Sequence, residues 1–270
     1  VGTVSYSFSG EVIVITGAAR GQGLSHALAF AQCGARVIAI DCSTADETPL
    51  QYKLSRADDL QAAQARLLAL SPDSIVLDSD IRSEEAQEQL VEEIKRRFGV
   101  IDAIVHNAGI NVVQDFASTN RRIWDAISQT NLAAPFFLTQ ALAPLLNPDG
   151  ASVTFVSSLA AMKGVPRQAA YSASKAGLLA LTRCLAVEIG SKSVRVNAVC
   201  PSLVVSPQSA GLTKALRALG EEAAPASLGV LAGMGTLRPE HVTDVVLWLA
   251  SSGSRCITGQ IIVADAGRSL

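Results

Sequence analysis

Short apolar runs alternate along the chain with longer stretches in which apolar residues recur every three or four positions. The runs are residues 11–16 (EVIVIT), 36–41 (RVIAID), 74–78 (SIVLD), 101–106 (IDAIVH), 151–157 (ASVTFVS), 194–199 (VRVNAV) and 260–263 (QIIV). They are apolar on successive positions, which predicts strands buried on both faces, as parallel strands between two helix layers are. Helical spacing covers residues 22–33, 58–70, 83–98, 120–146, 171–189 and 239–250. This alternation predicts an α/β fold with one doubly wound parallel sheet of about seven strands and helices on both faces. No repeat, low-complexity tract or linker divides residues 1–270, so a single domain is expected.

Two segments interrupt the rhythm. Residues 42–72 form a long connection with a helical stretch of its own, read as an embellishment of the second crossover. Residues 202–238 are rich in Gly, Ala and Leu and follow a strand's carboxyl end, where open α/β sheets bind ligands. They are expected to form a substrate lid, the alternative being a surface loop with a short amphipathic helix.

Composition narrows the classes of function. With 49% hydrophobic residues the chain can bury a large core without disulfides or metal. Lys and Arg number 22 against 24 Asp and Glu, with no long block of either sign, which argues against a nucleic-acid binder. The five cysteines show neither C-x-x-C nor metal-ligand spacing with the three histidines, so no metal is expected and a reducing compartment fits. The chain has no run of 18 apolar residues, and VGTVSYSFSG lacks the basic start and apolar centre of a signal peptide. A soluble cytoplasmic protein is expected.

The first strand runs into Gly17-Ala18-Ala19-Arg20-Gly21-Gln22-Gly23 and then a helix. Glycines at such a junction let the backbone turn sharply and approach a pyrophosphate at the helix N-terminus. Gly17, Arg20, Gln22 and Gly23 are the candidate contacts, although three glycines alone also suit a tight turn. Asp41 ends the second strand, where a carboxylate can accept both ribose hydroxyls of a dinucleotide and repel a 2′-phosphate. NAD is therefore expected over NADP, with Arg20 the complication, because a guanidinium pairs with phosphate. Asp41 as a helix cap and Arg20 as a solvated charge remain open. Asp80 with Ile81 after the third strand, and Asn107-Ala108-Gly109 after the fourth, are expected to pass the cofactor, although both also suit ordinary turns.

Tyr171 and Lys175 stand four apart at the start of a helix, so both project from one face. A tyrosine with a pKa near 10 is a poor base at neutral pH, and a nearby ammonium favours its phenolate. Such a tyrosine can exchange a proton with a substrate oxygen while hydride moves to or from nicotinamide. Ser158, at the end of the fifth strand, can hold the same oxygen from a second direction, with adjacent Ser157 the alternative.

Residues 16–23, Asp80, Asn107-Ala108-Gly109, Asn131, Ser158, Tyr171 and Lys175 come in an order and spacing that resembles the short-chain dehydrogenase/reductase family over essentially the whole chain. The resemblance implies a Rossmann-type domain with a nicotinamide cofactor, often a homotetramer. It implies Tyr171 as general acid/base and Lys175 as the group that lowers its pKa and binds the nicotinamide ribose. It implies Ser158 on the substrate oxygen, Asn131 holding a relay water, and Asp80 at the adenine. After the sixth strand the family's usual Pro-Gly is Pro201-Ser202. Val204 matches the position whose backbone holds the carboxamide, and Ser206 stands where a threonine commonly meets it. His106 replaces a common asparagine and is read as a packing variant. Residues 16–27 (TGAARGQGLSHA) with the enlarged 42–72 segment partly resemble the carveol-dehydrogenase-like, mycofactocin-associated subgroup, which implies an NAD that can be recycled in place.

The lid residues Leu203, Leu212, Leu216, Leu219, Leu228, Leu231 and Met234 are apolar, and Lys214 and Arg217 are opposed by Glu221 and Glu222. This favours a largely uncharged secondary alcohol or ketone over a phosphorylated sugar or a carrier-protein thioester, unless these leucines only anchor the lid or a subunit contact. The expected function is hydride transfer between NAD(H) and such a substrate. The alternatives are an epimerase or dihydrodiol dehydrogenase on the same fold, or a non-catalytic NAD-binding scaffold or sensor. Residues 120–146 and 171–189 carry more apolar surface than one sheet face requires. An interface between copies is one reading, and an internal helix layer the other.

Overall fold

The fold is described from a computed structural model, which describes residues 4–43, 50–220, 230–231 and 234–270. Seven strands form one fully parallel sheet in the order β3-β2-β1-β4-β5-β6-β7. They are β1 (Val12–Thr16), β2 (Arg36–Asp41), β3 (Ile75–Asp78), β4 (Ala103–His106), β5 (Ala151–Val156), β6 (Val194–Pro201) and β7 (Ile261–Ala264). The order reverses at β1, whose neighbours are β2 and β4. A crevice at the carboxyl ends is the expected ligand site of such a sheet.

The successive apolar positions serve two cores. Val12 and Val14 of β1 pack with Leu90, Ile94, Leu138 and Leu178 on one face. Ile13 and Ile15 pack with Phe30, Val242 and Val246 on the other. The first face is covered by α3 (Glu84–Arg97), α5 (Ala134–Leu142) and α6 (Ala169–Ile189), the second by α1 (Gly21–Gln32) and α8 (Pro239–Ala250), while α4 (Arg121–Ser128) buries Ile123 and Ile127 in a smaller cluster with Ile110, Val112 and Ala170. Helix α2 (Ala57–Leu70) adds Leu67 to the second core. Burial on both faces selects the successive apolar residues of β2, which coincides with its predicted span, as does α8, whereas β3 and β7, expected to be buried on both faces, lie at the sheet edges and are only partly buried.

The stretch 120–146 departs from one uniform helix. Between α4 and α5 the backbone takes a π turn over Gln129–Ala133, and Asn131 sits inside it, fully buried. One residue more per turn disturbs the apolar phase too little to be read from spacing.

Residues 202–238 leave β6 and return to their starting point. The Val205 amide donates to the Leu237 carbonyl at 2.9 Å, and the Leu237 amide to the Leu203 carbonyl at 2.8 Å. Within the excursion α7 (Pro207–Ala218) is capped by Ser206, whose hydroxyl accepts from the Ser209 amide at 3.1 Å. Of the lid residues named above, Glu221, Glu222 and Leu228 lie outside the described residues, as do residues 44–49 of the 42–72 connection.

Candidate active site

The loop after β1 is built around close backbone approach. Gly17 has φ +67°, and a β-carbon there would lie 2.8 Å from the Ala108 α-carbon. At Gly23 it would lie 2.0 Å from the Gly17 carbonyl oxygen. No larger residue fits either place. Asn107 locks the loop from the β4 side, its Nδ2 donating to the Thr16 and Gly17 carbonyls at 3.1 Å each.

Asp41 closes the other side. Its carboxylate accepts the Ala19 amide and the Cys42 amide, each at 2.8 Å. Burial pushes the Asp41 carboxyl above its ordinary range, and these hydrogen bonds, one from Ser55 and the charge of Arg20 oppose that rise. The Arg20 guanidinium donates to the Lys53 carbonyl, which ties the loop to the 42–72 connection. At the end of β3, Asp80 is gripped by Arg82 through a 2.7 Å ion pair.

These elements enclose a cleft at the carboxyl ends of the strands. It is lined by Gly17, Arg20, Gln22, Asp41, Asp80, Ile81, Asn107, Ala108, Gly109 and Ser206 among the predicted cofactor residues. Gly23, Tyr171, Lys175, Pro201 and Val204 do not line it; Gly23 packs against the Gly17 carbonyl and Val204 is bridged to Leu237. The residues fit a dinucleotide. Bare glycine backbone meets a helix N-terminus without acidic side chains, a carboxylate ends β2, and the Gln22 Oε1 is buried in the cleft wall without a partner.

The proton-handling residues adjoin the cleft through Gly109, where a β-carbon would lie 3.2 Å from Lys175 Nζ and 3.3 Å from Asn131 Oδ1. Lys175, 4% exposed, donates from Nζ to the Val156 carbonyl at 2.8 Å, and its ammonium lies 5.9 Å from the Tyr171 ring centre. Burial lowers the Lys175 pKa to about 8. Burial of the Tyr171 hydroxyl raises its pKa to about 12, opposed by a hydrogen bond with Ser158 and reinforced by the nearby Tyr52 and Cys200. The two serines divide their work: Ser157 donates to the Lys175 carbonyl at 2.9 Å, while Ser158 meets Tyr171.

The Asn131 side chain is committed to the protein. It accepts the Ile110 amide at 2.8 Å and donates to the Ile110 carbonyl at 2.9 Å and to Ser174 Oγ at 3.1 Å. A relay water would therefore fall to its main chain, inside the π turn. His106 is buried, stacked on Phe155 at 5.1 Å between ring centres, and bonded to Thr139 at 2.7 Å.

Sequence reasoning missed a strap across the cleft. Residues 50–55 return from the long connection, and Gln51 clamps the main chain of Val113, donating at 3.1 Å and accepting at 3.2 Å. The Tyr52 hydroxyl accepts from the Asn111 amide at 3.0 Å and from Gln208 Nε2 at 2.9 Å, and Gln208 Nε2 also donates to the Gly109 carbonyl at 3.2 Å. The only available signal was Tyr52 itself, one of three tyrosines in the chain.

A family model described as enoyl-(acyl carrier protein) reductase matches residues 17–269. A short-chain dehydrogenase from Mycobacterium paratuberculosis, solved bound to NAD, superimposes with a TM-score of 0.90 at 30% identity, covering 97% of this chain and 99% of that one. The chain belongs to the short-chain dehydrogenase/reductase family. Carveol dehydrogenase from Mycobacterium avium, solved in complex with NAD, is similar to this family member over 98% of this chain and 99% of its own, at 30% identity and a TM-score of 0.89. The 3-oxoacyl-(acyl-carrier-protein) reductase of Thermotoga maritima is 34% identical over 259 residues, 96% of this short-chain dehydrogenase/reductase and 97% of the relative. Among its described residues no group of His, Cys, Asp or Glu is placed to hold a metal, and no helix is long and apolar enough to cross a membrane.

Proposed function

We propose that this short-chain dehydrogenase/reductase is an NAD(H)-dependent oxidoreductase that interconverts a largely apolar secondary alcohol and its ketone. The observation that carries the reading is the meeting of Ser158, Tyr171 and Lys175 beside a cleft that presents bare glycine backbone at one end and the Asp41 carboxylate at the other. The nicotinamide supplies or receives the hydride when bound. Gly17, Gln22 and the start of α1 hold the pyrophosphate and Asp41 the adenosine ribose, with Asp80, Ile81, Asn107, Ala108 and Gly109 along the path. Pro201, Val204 and Ser206 bound the carboxamide end.

Ser158 and Tyr171 hold the carbinol or carbonyl oxygen from two directions, and Tyr171 takes its proton during oxidation and returns it during reduction. A phenol held near 12 needs a compensating positive charge to act as a base at neutral pH, and Lys175 brings one to the same wall. Asn131 fixes Ile110 beside Gly109 and continues the proton path through its main chain. The strap and α7 exclude water from the reacting atoms.

The carveol dehydrogenase likeness supports a cyclic apolar substrate. A lid over residues 202–238 within one domain, a cytoplasmic setting and a homotetramer belong to the same reading. Five free cysteines support the setting, and the exposed Trp124, Phe137 and Val187 on α4, α5 and α6 support association. The test is nicotinamide absorbance with purified protein, NAD or NADP, and a panel of cyclic and aromatic secondary alcohols and ketones. Turnover with NAD that vanishes in Tyr171→Phe supports the reading. Silence across the panel with NAD bound favours the scaffold alternative.

A further inference from the structure

Tyr52 carries a proton with nowhere to go inside the protein. The Asn111 main-chain N–H can only donate, and it reaches the Tyr52 hydroxyl at 3.0 Å. Gln208 also donates to it: the same nitrogen meets the Gly109 carbonyl, an acceptor only, so that face of the amide must be NH2. The phenol oxygen thus accepts twice, and no described residue accepts its own proton.

The group is also held in place. A β-carbon at Gly211 of α7 would lie 2.5 Å from the Gln51 carbonyl oxygen and 2.7 Å from the Tyr52 β-carbon, so helix and strap touch directly. Gln51 anchors the preceding residue to Val113. Tyr52 lines the cleft, and its position acts on the Tyr171 hydroxyl electrostatically. Its partners lie beyond the cofactor positions Gly109 and Ser206, and Asn111 reaches on to Gln168 at 3.0 Å, just before the helix that carries Tyr171. This is the substrate side of the cleft. A donor fixed by two accepted hydrogen bonds, with its own proton left over, reads one feature of a ligand, an oxygen.

We infer that Tyr52 is a specificity-determining residue that donates a hydrogen bond to a second oxygen of the substrate, so that the preferred substrates are cyclic secondary alcohols bearing an additional hydroxyl, ether or carbonyl oxygen. The inference rests on the dehydrogenase reading above. Ser158 and Tyr171 take the reacting oxygen, and Tyr52 takes the other.

The test compares trans-cyclohexane-1,4-diol, its 1,3-isomer and trans-4-methylcyclohexanol, the last close in size to the 1,4-diol but without the second oxygen. The wild type is expected to favour one of the diols by about 10-fold or more in kcat/KM. Tyr52→Phe is expected to bring that ratio near one, the ratio within each protein cancelling any change in turnover common to the three alcohols, with NAD affinity followed separately by titration calorimetry. A ratio unchanged in Tyr52→Phe, or a weakened NAD affinity with the ratio retained, overturns the inference and leaves the dehydrogenase reading standing. If Tyr52→Phe does not fold, the wild-type ratio decides, and a value near one overturns the inference. No turnover of any of the three by the wild type removes the reading on this class of alcohol and the inference with it.

Discussion

The Lys175 ammonium donates to the Val156 carbonyl at 2.8 Å, joining α6 to the last residue of β5. That single bond holds a charge almost wholly withdrawn from water, with a pKa lowered to about 8. Below that pH the folded protein carries the charge at a cost the unfolded chain does not bear. The cost disappears as pH rises from about 8 towards the unfolded value of 10.5. Lys175→Met is therefore expected to abolish turnover yet raise stability at neutral pH, by on the order of 1–3 kcal/mol after loss of the Val156 bond. Urea unfolding at pH 7 and near 10 checks this, because the gain must shrink at the higher pH. A destabilised variant at pH 7 would contradict the account.

Tyr171→Phe removes the proton carrier while leaving the cleft lining intact. Turnover is expected to fall by about 10³-fold or more, with NAD affinity changed by less than about 3-fold. Single-turnover kinetics and calorimetric titration separate the two quantities. Substantial residual turnover would move the acid/base role elsewhere.

Asp41 both faces the cleft and ties the β1 loop through the Ala19 amide. Asp41→Ala is expected to weaken NAD by about 10-fold or more and to improve NADP relative to it. The substitution removes a repulsive carboxylate from a 2′-phosphate and leaves the Arg20 guanidinium in the same cleft wall to pair with it. An unchanged NAD to NADP preference would show that Asp41 does not read the ribose.

Two buried histidines predict acid sensitivity. Thr139 donates to the Pro135 carbonyl and Thr243 to the Pro239 carbonyl, so each hydroxyl accepts from its histidine, His106 through Nε2 and His26 through Nδ1. The opposite ring nitrogens are buried without a partner. Burial lowers both pKa values from 6.5 to about 3. Their contribution is fully present above 6.5 and is lost as pH falls towards 3, on the order of 2–3 kcal/mol for each by about pH 4.5. His106→Asn is expected to remove about half of the drop in urea midpoint between pH 7 and 4.5. An identical drop would mean that water solvates these rings.

Gly211 is where lid helix and strap touch. In Gly211→Ala the new methyl must displace Gln51 or Tyr52, and this is expected to raise KM for a secondary alcohol several-fold with a smaller effect on kcat. Limited proteolysis should cut faster within residues 42–55. Unchanged KM and proteolysis would show that the strap carries no part of substrate binding.

The strands, most helix spans and the Tyr171–Lys175 pair were legible because each follows from a repeating physical requirement. Burial on two faces selects the successive apolar residues of β2, and one helical turn separates the two side chains of α6. The π turn at Asn131 was hidden because one extra residue shifts the apolar phase only slightly over a stretch this long. Tyr52 was hidden for a different reason. Its place depends on where a long connection folds back and on Gln208, 156 residues away. The high Tyr171 pKa was equally invisible, since it reflects burial by neighbours from several segments.

The strand order also fixes when the site can exist during synthesis. The Val12 amide is bonded to the Asp102 carboxylate 90 residues later, and β1 cannot gain its second neighbour until β4 has emerged from the ribosome. Ser158 follows just after β5 and Lys175 on α6, and Gln208 closes the strap only after β6. A nascent chain halted before residue 100 thus carries the glycine loop and Asp41 with one edge of β1 bare and without Asn107, Ala108 and Gly109, so the cleft cannot be complete at that stage.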